Sequence, residues 1–174
     1  QYAVYLEPSA LNEIIDMMSW GGFSYKSNKI GTSPLHLLNK KERSLNKAVS
    51  IDENIKDGLS PNFNADGFIK PENIQMITNG EFTEPLTSPR SSIEYSVIHN
   101  ASGSSEYPSS IDMKEGDINN EEVLSTINNG IYISNLWYLN FSDRNNGRMT
   151  GLTRFGCFLI ENGKTEKISC KKKQ

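Results

Sequence analysis

The first pattern of apolar and polar positions along the chain predicts a strand followed by a helix. Tyr2–Leu6 is an apolar run of strand length, and Pro8, a residue favoured in the first turn of a helix, follows it. Apolar residues then recur at the spacing of one helix face, at Ala10, Leu11, Ile14, Ile15, Met17 and Met18. We therefore expect a helix at about residues 8–18, ended by Gly21-Gly22.

Asparagine–glycine pairs between apolar runs predict two hairpins. Asn79-Gly80 divides residues 73–86 into two strands, and Asn162-Gly163 separates Phe155–Ile160 from a return strand at Thr165–Ile168. An Asn-Gly pair readily adopts the two positive-φ conformations that a type I′ turn requires. These two turns are therefore expected to join antiparallel strands.

A second helix is predicted shortly after Asn119. Asn119 and Glu122 have the spacing of a capping pair, and Gly130 has the position of a left-handed C-cap. The apolar stripe between them consists of Val123, Leu124 and Ile127. The sequence thus places a short capped helix before the next apolar run.

The remaining segments predict two strands and two long loops. Ala48–Asp52 and Ile131–Phe141 are expected to be strands, and residues 24–47 a surface loop with one apolar anchor. Residues 87–110 are serine-rich and predict a loop or a weak strand. The expected fold is α+β, mainly antiparallel β-sheet with two short helices, as one domain over residues 1–174 that is a piece of a longer chain.

Composition argues against several classes of partner. The net charge is -3 and the basic residues are scattered apart from a terminal Lys171–Lys173 run, so nucleic acid and membrane surfaces are disfavoured.

No apolar run approaches the roughly 20 residues that span a bilayer, and a cytoplasmic location is expected. Cys157 and Cys170 indicate neither a disulfide framework nor a zinc motif, and Cys157 is expected to be a small buried apolar residue.

The residue types that usually catalyse hydrolysis occur in this sequence without the neighbouring residues that such catalysis needs. A zinc protease helix needs two imidazoles one turn apart and a carboxylate to activate the bound water. The histidines of this chain, His36 and His99, have no second ligand at that spacing, and no Gly-x-Ser-x-Gly motif is present. We therefore expect no catalytic residue and no metal site in this chain.

Residues 135–155 contain the best candidates for a binding surface. Aromatic residues there precede a polar, glycine-containing loop, and such a segment suits a peptide groove that uses backbone pairing and guanidinium contacts. The candidate residues are Trp137, Asp143, Arg148, Thr150, Gly151 and Arg154, and Arg144 lies in the same loop. A long hairpin loop that covers a core strand explains the same pattern, and residues alone do not separate the two alternatives.

An ordered series of motifs resembles the TldD/PmbA metallopeptidase family over nearly the whole chain. The matching segments are Tyr2–Ala10, Val49–Asp52, Asp66–Phe68 with Asn79-Gly80, Pro108–Ile111 with Glu115–Asp117, Asn129–Tyr132, Thr150-Gly151, Arg154 and Phe158–Lys164. Single motifs among them are weak, and their order makes the set specific. The resemblance implies the fold of the family's C-terminal domain.

The same resemblance bears on zinc. Zinc-bearing members of the family place a His-Glu-x-x-x-His helix directly after the first strand. The matching stretch here, Pro8–Met18, has Glu13 but no histidine. This departure resembles the PmbA (TldE) type, which implies a zinc-bearing TldD-like partner subunit, unfolded peptides as substrate, and no cofactor in this chain.

Three functions follow as hypotheses. The first is a non-catalytic subunit of a peptidase heterodimer, and the second is a peptidase with a non-standard site. The third is a stand-alone peptide-binding module that uses the segment from Trp137 to Arg154. The sequence does not identify the peptide substrate or the pathway.

Overall fold

The computed structural model describes residues 2–167, so the predictions made for Ile168, Cys170 and Lys171–Lys173 lie outside the described part of the chain. The described residues form five helices and eight strands. In chain order these are β1 (Ala3–Leu6), α1 (Pro8–Ser19), α2 (Tyr25–Lys29), α3 (His36–Asn39), β2 (Ile51–Asn54), β3 (Asn73–Thr78), β4 (Glu81–Phe82), α4 (Pro89–Tyr95), β5 (Ile111–Met113), α5 (Val123–Ile127), β6 (Gly130–Asp143), β7 (Arg148–Glu161) and β8 (Lys164–Lys167).

The chain packs as two compact units. The first comprises the residues up to Met17, Asp117–Phe141 and the residues from Met149 onward, and the second comprises Met18–Gly116 and Ser142–Arg148. None of the helices within residues 2–167 has the length and apolar character needed to cross a bilayer.

The first unit contains a four-stranded sheet in the order β1-β6-β7-β8. β1 pairs in parallel with β6, so that Tyr5 lies opposite Tyr132. β7 and β8 pair antiparallel across Asn162-Gly163, whose φ angles are 50° and 72°. The predicted turn at this position is therefore confirmed.

Helix α1 confirms the first prediction of the sequence. Its apolar face is buried at Ala10, Ile15 and Met17, while Glu13 is exposed. The helix ends at Ser19, and Gly21 follows with a φ of 80°. Burial of one apolar stripe is what stabilises a helix of this length in water.

The second unit contains a sheet in the order β4-β3-β2-β5 and a core packed around it. β3 and β4 meet at Asn79-Gly80 with φ angles of 50° and 80°, which confirms the second predicted turn. The core consists of Phe23, Leu38, Ile51, Ile74, Met76, Ile77, Phe82 and Leu86.

Three segments of the second unit differ from the prediction. Residues 24–47 contain α2 and α3 in place of one long loop, and residues 87–110 contain α4. Ser24 and Ser88 cap α2 and α4, because each hydroxyl accepts a hydrogen bond from an amide three residues later, at 3.0 and 3.2 Å. β2 begins later than expected because the Val49 amide bonds to the Asn46 carbonyl at 2.9 Å in a turn, and it ends later, at the polar residues Glu53 and Asn54.

Helix α5 exists as predicted, but its caps were wrongly placed. Glu122 is the N-cap and makes no side-chain capping bond, and the C-cap is Asn128 with a φ of 56°. Gly130 instead begins β6 opposite Ala3, where a Cβ atom would lie 2.5 Å from the Ala3 carbonyl oxygen. The α+β class with mainly antiparallel sheet is confirmed, with three short helices more than expected.

Candidate functional site

The candidate groove residues all lie on the hairpin of β6 and β7 or at its turn. Trp137, Thr150, Gly151 and Arg154 belong to the first unit, and Asp143 and Arg148 belong to the second.

Arg154 stacks against aromatic rings of the same hairpin. Its guanidinium carbon lies 4.0 Å from the centre of the Trp137 ring and 4.7 Å from that of Phe155. Trp137 also meets Tyr138 edge to face at 5.5 Å. A guanidinium over an indole face is held by the charge of the cation and the quadrupole of the ring, so these side chains form one ordered cluster.

This aromatic cluster, defined by Trp137, Tyr138, Arg154 and Phe155, is open to solvent. The exposed fractions of Trp137, Tyr138 and Phe155 are 46%, 77% and 78%. Tyr138 and Phe155 have φ angles of 52° and 61°, a conformation that bulky residues seldom adopt. Such an exposed aromatic surface is typical of a binding site for another molecule.

Gly151 and Thr150 are the other two candidates in the first unit, and neither has a reactive side chain. A Cβ atom on Gly151 would lie 2.4 Å from a methyl carbon of Leu139, so glycine leaves room for that side chain. Thr150 is exposed on β7, one residue before it. Neither brings a titratable or nucleophilic group to the aromatic cluster.

Asp143 stabilises the hairpin turn. Its carboxylate accepts hydrogen bonds from the amide and the side chain of Asn146, at 3.2 and 2.8 Å. The Asn146 side chain, then its amide, and then the charges of Arg148 and Arg43 hold the pKa of Asp143 below its ordinary value, against the effect of desolvation. The exposed Arg148 therefore serves as a neighbouring charge to this turn.

Arg144 connects the hairpin turn to the start of the second unit. Its Nε atom donates to the Thr32 carbonyl at 2.9 Å, and its guanidinium also donates to the carbonyl of Trp20. Arg43 reaches the Asn146 carbonyl at 3.4 Å. The sequence suggested Arg144 as a groove residue, and its donors are instead used within the protein.

The two histidines lie in the second unit in unrelated settings. His36 opens α3, and its Nδ1 atom is buried without a hydrogen-bond partner in the described residues. His99 Nδ1 accepts from the Ala101 amide at 3.1 Å, and its ring meets Phe68 edge to face. These contacts agree with histidines that support local structure.

The structure also permits a test of zinc binding. Catalytic zinc usually takes three protein ligands, and α1 offers only carboxylates, Glu13 and Asp16, both on its exposed side. Within residues 2–167, no group of three or more histidine, cysteine, aspartate or glutamate side chains lies close enough to hold a metal ion. The side chains of the described residues therefore do not fit a zinc centre.

Comparison with known proteins defines the class and then the family. The α+β fold is that of a domain from a metallopeptidase family, and a family model described as the PmbA/TldA metallopeptidase C-terminal domain matches residues 1–169. The chain belongs to this family, and the resemblance inferred from its motifs is confirmed. No curated protein matches the sequence significantly.

Solved structures share the fold at low sequence identity. A candidate modulator of a DNA gyrase from Thermotoga maritima is 20% identical with a TM-score of 0.76, over 95% of this chain and 39% of that one. TldE from Thermococcus kodakarensis is 17% identical with a TM-score of 0.76, over 93% and 38%. A candidate modulator of DNA gyrase from Bacteroides thetaiotaomicron is 17% identical with a TM-score of 0.73, over 95% and 36%. The chain thus spans less than two fifths of each of these proteins.

Proposed function

We propose that this chain is part of a PmbA (TldE)-type subunit in a peptidase assembly whose zinc is held by a TldD-like partner. The assembly degrades or processes unfolded peptides, and this chain helps to form the site without carrying out the chemistry. The observation that supports the proposal most directly is that helix α1, which follows the first strand, has no histidine. The motif resemblance places the zinc-binding helix of zinc-bearing members at this point of the chain.

The residue types on α1 support a non-catalytic role for this chain. Hydrolysis by zinc needs imidazole ligands and a carboxylate that takes the proton from the bound water. α1 supplies Glu13 and Asp16 on an exposed face, and neither imidazole is present. A subunit of this kind contributes binding surface and receives the metal chemistry from its partner.

Coexpression tests the subunit role. The full-length protein, coexpressed with a zinc-bearing TldD-like protein, is expected to elute with it as one complex in size-exclusion chromatography. The complex should cleave an unstructured peptide, and a chelator should abolish the cleavage because the reaction depends on the partner's zinc. The full-length protein alone is the control and should show neither bound zinc by elemental analysis nor chelator-sensitive cleavage.

Two results would overturn this proposal. Separate elution of the two proteins at micromolar concentration would rule out the subunit role. Zinc bound to the full-length protein alone, together with chelator-sensitive cleavage, would show instead that the protein is a peptidase with a non-standard site.

The aromatic cluster favours a second function, a stand-alone peptide-binding module. Three exposed aromatic rings with an arginine between two of them present both apolar area and hydrogen-bond donors to an extended peptide. This function needs no partner subunit. Under this second function the isolated protein binds peptide, whereas the first proposal requires the complex with a partner subunit.

Replacement of Arg154 by Ala tests the module. The affinity for an unstructured peptide is expected to fall about fivefold, because the guanidinium no longer donates to the peptide and a hydrogen bond contributes about 1 kcal/mol. Arg154→Lys should restore little of it, since an ammonium lacks the planar stack. Arg90→Ala, which removes the same charge from an exposed position on α4, is the control. Equal affinities of the Arg154→Ala and Arg90→Ala variants by calorimetry would place the peptide elsewhere.

A further inference from the structure

A cavity of about 410 Å³ opens in the first unit, where the pairing of β1 with β6 ends and α1 begins. This volume suits one or two amino-acid side chains and lies within the range of small-molecule sites. Glu7, the residue between β1 and α1, and Tyr132 of β6 supply polar groups to the cavity. The cavity is also lined by Tyr5, Asn120, Val123 and Leu124.

The carboxylate of Glu7 is only partly used by the protein. The Tyr132 hydroxyl donates to its Oε1 atom, and among residues 2–167 no other donor bonds this carboxylate. No lysine or arginine of the described residues forms an ion pair with it. Glu7 therefore has one oxygen whose acceptor capacity is available to a ligand.

Glu7 lies directly before the first turn of α1 and bonds to Tyr132. Its backbone carbonyl accepts the Leu11 amide at 2.9 Å, so the carboxylate lies at the N-terminal end of α1, where the helix dipole favours a negative charge. The hydrogen bond to Glu7 raises the pKa of Tyr132 to about 12, so the phenol remains a donor at neutral pH. The phenol therefore keeps donating to one oxygen of Glu7, and the other oxygen stays available to a ligand.

The walls of the cavity determine which cation fits. The rings of Tyr5 and Tyr132 lie 5.2 Å apart and present aromatic surface beside the carboxylate, and Val123 is an apolar wall with 7% of its surface exposed. Aromatic rings with a carboxylate recognise alkylammonium groups, because the rings attract the charge and cover the adjoining carbons. A metal ion does not suit this set, since a single carboxylate provides too few ligands.

We propose that this cavity binds a primary ammonium group of a peptide, with Glu7 as its anionic partner and Tyr5, Tyr132 and Val123 around the attached carbons. The assignment to a peptide rests on the proposed function, in which the assembly acts on peptides. The ammonium has two possible sources, the N-terminus of the peptide and a lysine side chain, and both present the same chemistry to Glu7.

Calorimetry on the full-length protein separates these sources. The probes are benzylamine, Leu-Gly-Gly, its N-acetylated form, and N-acetylated Gly-Lys-Gly with an amidated C-terminus. Benzylamine and at least one ammonium-bearing peptide are expected to bind at least tenfold more tightly than acetylated Leu-Gly-Gly. Preference for free Leu-Gly-Gly identifies the N-terminus, and preference for the lysine peptide identifies the side chain.

Variants then assign the binding to Glu7. Glu7→Gln keeps the size and an acceptor for Tyr132, and it is expected to weaken ammonium binding at least tenfold because the charge is lost. Glu13→Gln removes an exposed charge from the adjoining helix α1 and should leave ammonium binding unchanged. Added salt should weaken binding to the wild type and have little effect on Glu7→Gln.

Several results would overturn the assignment. Equal binding of free and acetylated probes by the wild type does so without any variant, and so does unchanged ammonium binding in Glu7→Gln. The complex could also cleave peptides equally well with Glu7→Gln and with acetylated substrates. That result would rule out the ammonium site and would not affect the proposed function. Glu7-dependent binding of benzylamine with no binding of any peptide would instead support the site and contradict the peptide function.

Discussion

Replacement of Glu106 by Ala is expected to lower the free energy of unfolding by about 3 kcal/mol. This side chain is 2% exposed and accepts four hydrogen bonds. They come from the Ser24 hydroxyl at 2.6 Å, the Lys26 amide at 2.9 Å, and the Ser88 amide and hydroxyl at 2.9 and 3.0 Å. Removal of the carboxylate leaves these donors buried or partly buried without their acceptor, which costs more than the net value of the bonds themselves.

The loss should concentrate in two helices. Ser24 and Ser88 are the N-caps of α2 and α4, and Glu106 holds both caps through one side chain. Helices of five and seven residues are not stable by themselves, so they depend on such tertiary contacts. Hydrogen exchange followed by mass spectrometry should therefore show faster exchange at the amides of α2 and α4 in Glu106→Ala, before the rest of the protein opens.

The stability that Glu106 contributes depends on pH. Burial raises the pKa of Glu106, and its hydrogen bonds, first that from the Ser24 hydroxyl and then that from the Ser88 amide, lower it by more, so the pKa lies below the ordinary 4.5. A carboxyl with a lower pKa in the folded state stabilises the fold above its unfolded pKa and loses that contribution as pH falls through the folded pKa. The difference between wild type and Glu106→Ala should thus be constant near neutral pH and shrink below about pH 4.5.

Glu94→Ala is the matched control. Glu94 forms an ion pair with Lys26 at 3.8 Å, but its side chain is 43% exposed, and solvent screens the interaction. Its replacement should cost less than about 0.5 kcal/mol. Equal melting temperatures of Glu106→Ala and Glu94→Ala in the full-length protein would show that Glu106 does not hold the two caps.

The elements that were predicted correctly are those with a local cause. The helix face from Ala10 to Met18 has a period that only a helix satisfies, and Asn79-Gly80 and Asn162-Gly163 adopt the positive φ angles that their turns require. The parallel pairing of β1 with β6 lies beyond local patterns, because its partners are more than 120 residues apart in the chain. The family resemblance supplied the fold that the local patterns could not.

The missed helices have causes distant in the sequence. Ser24 is held by Glu106, 82 residues later, so no window around α2 contains the reason for its start. α4 is different, since Ser88-Pro89 is an N-cap followed by a first-turn proline and was visible in the sequence. The abundance of serine in that segment concealed this signal.

The candidate-site residues also divide into those with a local cause, which the sequence predicted, and those brought together by strand pairing, which it did not. The sequence identified the hairpin residues because aromatic residues precede a polar, glycine-containing loop there, and the structure brings Trp137 and Arg154 into contact. It gave no reason to select Glu7 or Tyr132, since each is ordinary in its own segment. Their pairing arises from the register of β1 and β6, in which Tyr5 lies opposite Tyr132 two residues before Glu7.

Glu53 shows how a charged residue inside a strand can hold a family motif in place. It is 3% exposed at the centre of β2 and accepts the Ser109 amide, the Ser109 hydroxyl at 2.7 Å and the Ser110 amide at 3.0 Å. Ser109 and Ser110 belong to the motif before β5, and Lys70 adds a positive charge at 3.9 Å from Glu53 Oε1. The bonds therefore fix the start of β5 against β2.

Glu53→Ala is expected to lower the free energy of unfolding by about 3 to 5 kcal/mol, because the change leaves Lys70 almost buried beside unpaired amides. Glu72→Ala is its control, since Glu72 is ion-paired with Lys56 at 3.7 Å but 78% exposed, and should cost under about 1 kcal/mol.

A double-mutant cycle of Glu53→Ala with Ser109→Ala should give a coupling of about 1 kcal/mol in thermal or urea unfolding of the full-length protein, since the two residues share hydrogen bonds. Additive losses would mean that the bond from the Ser109 hydroxyl adds nothing, so that Glu53 positions β5 only through the Ser109 and Ser110 amides and the charge of Lys70.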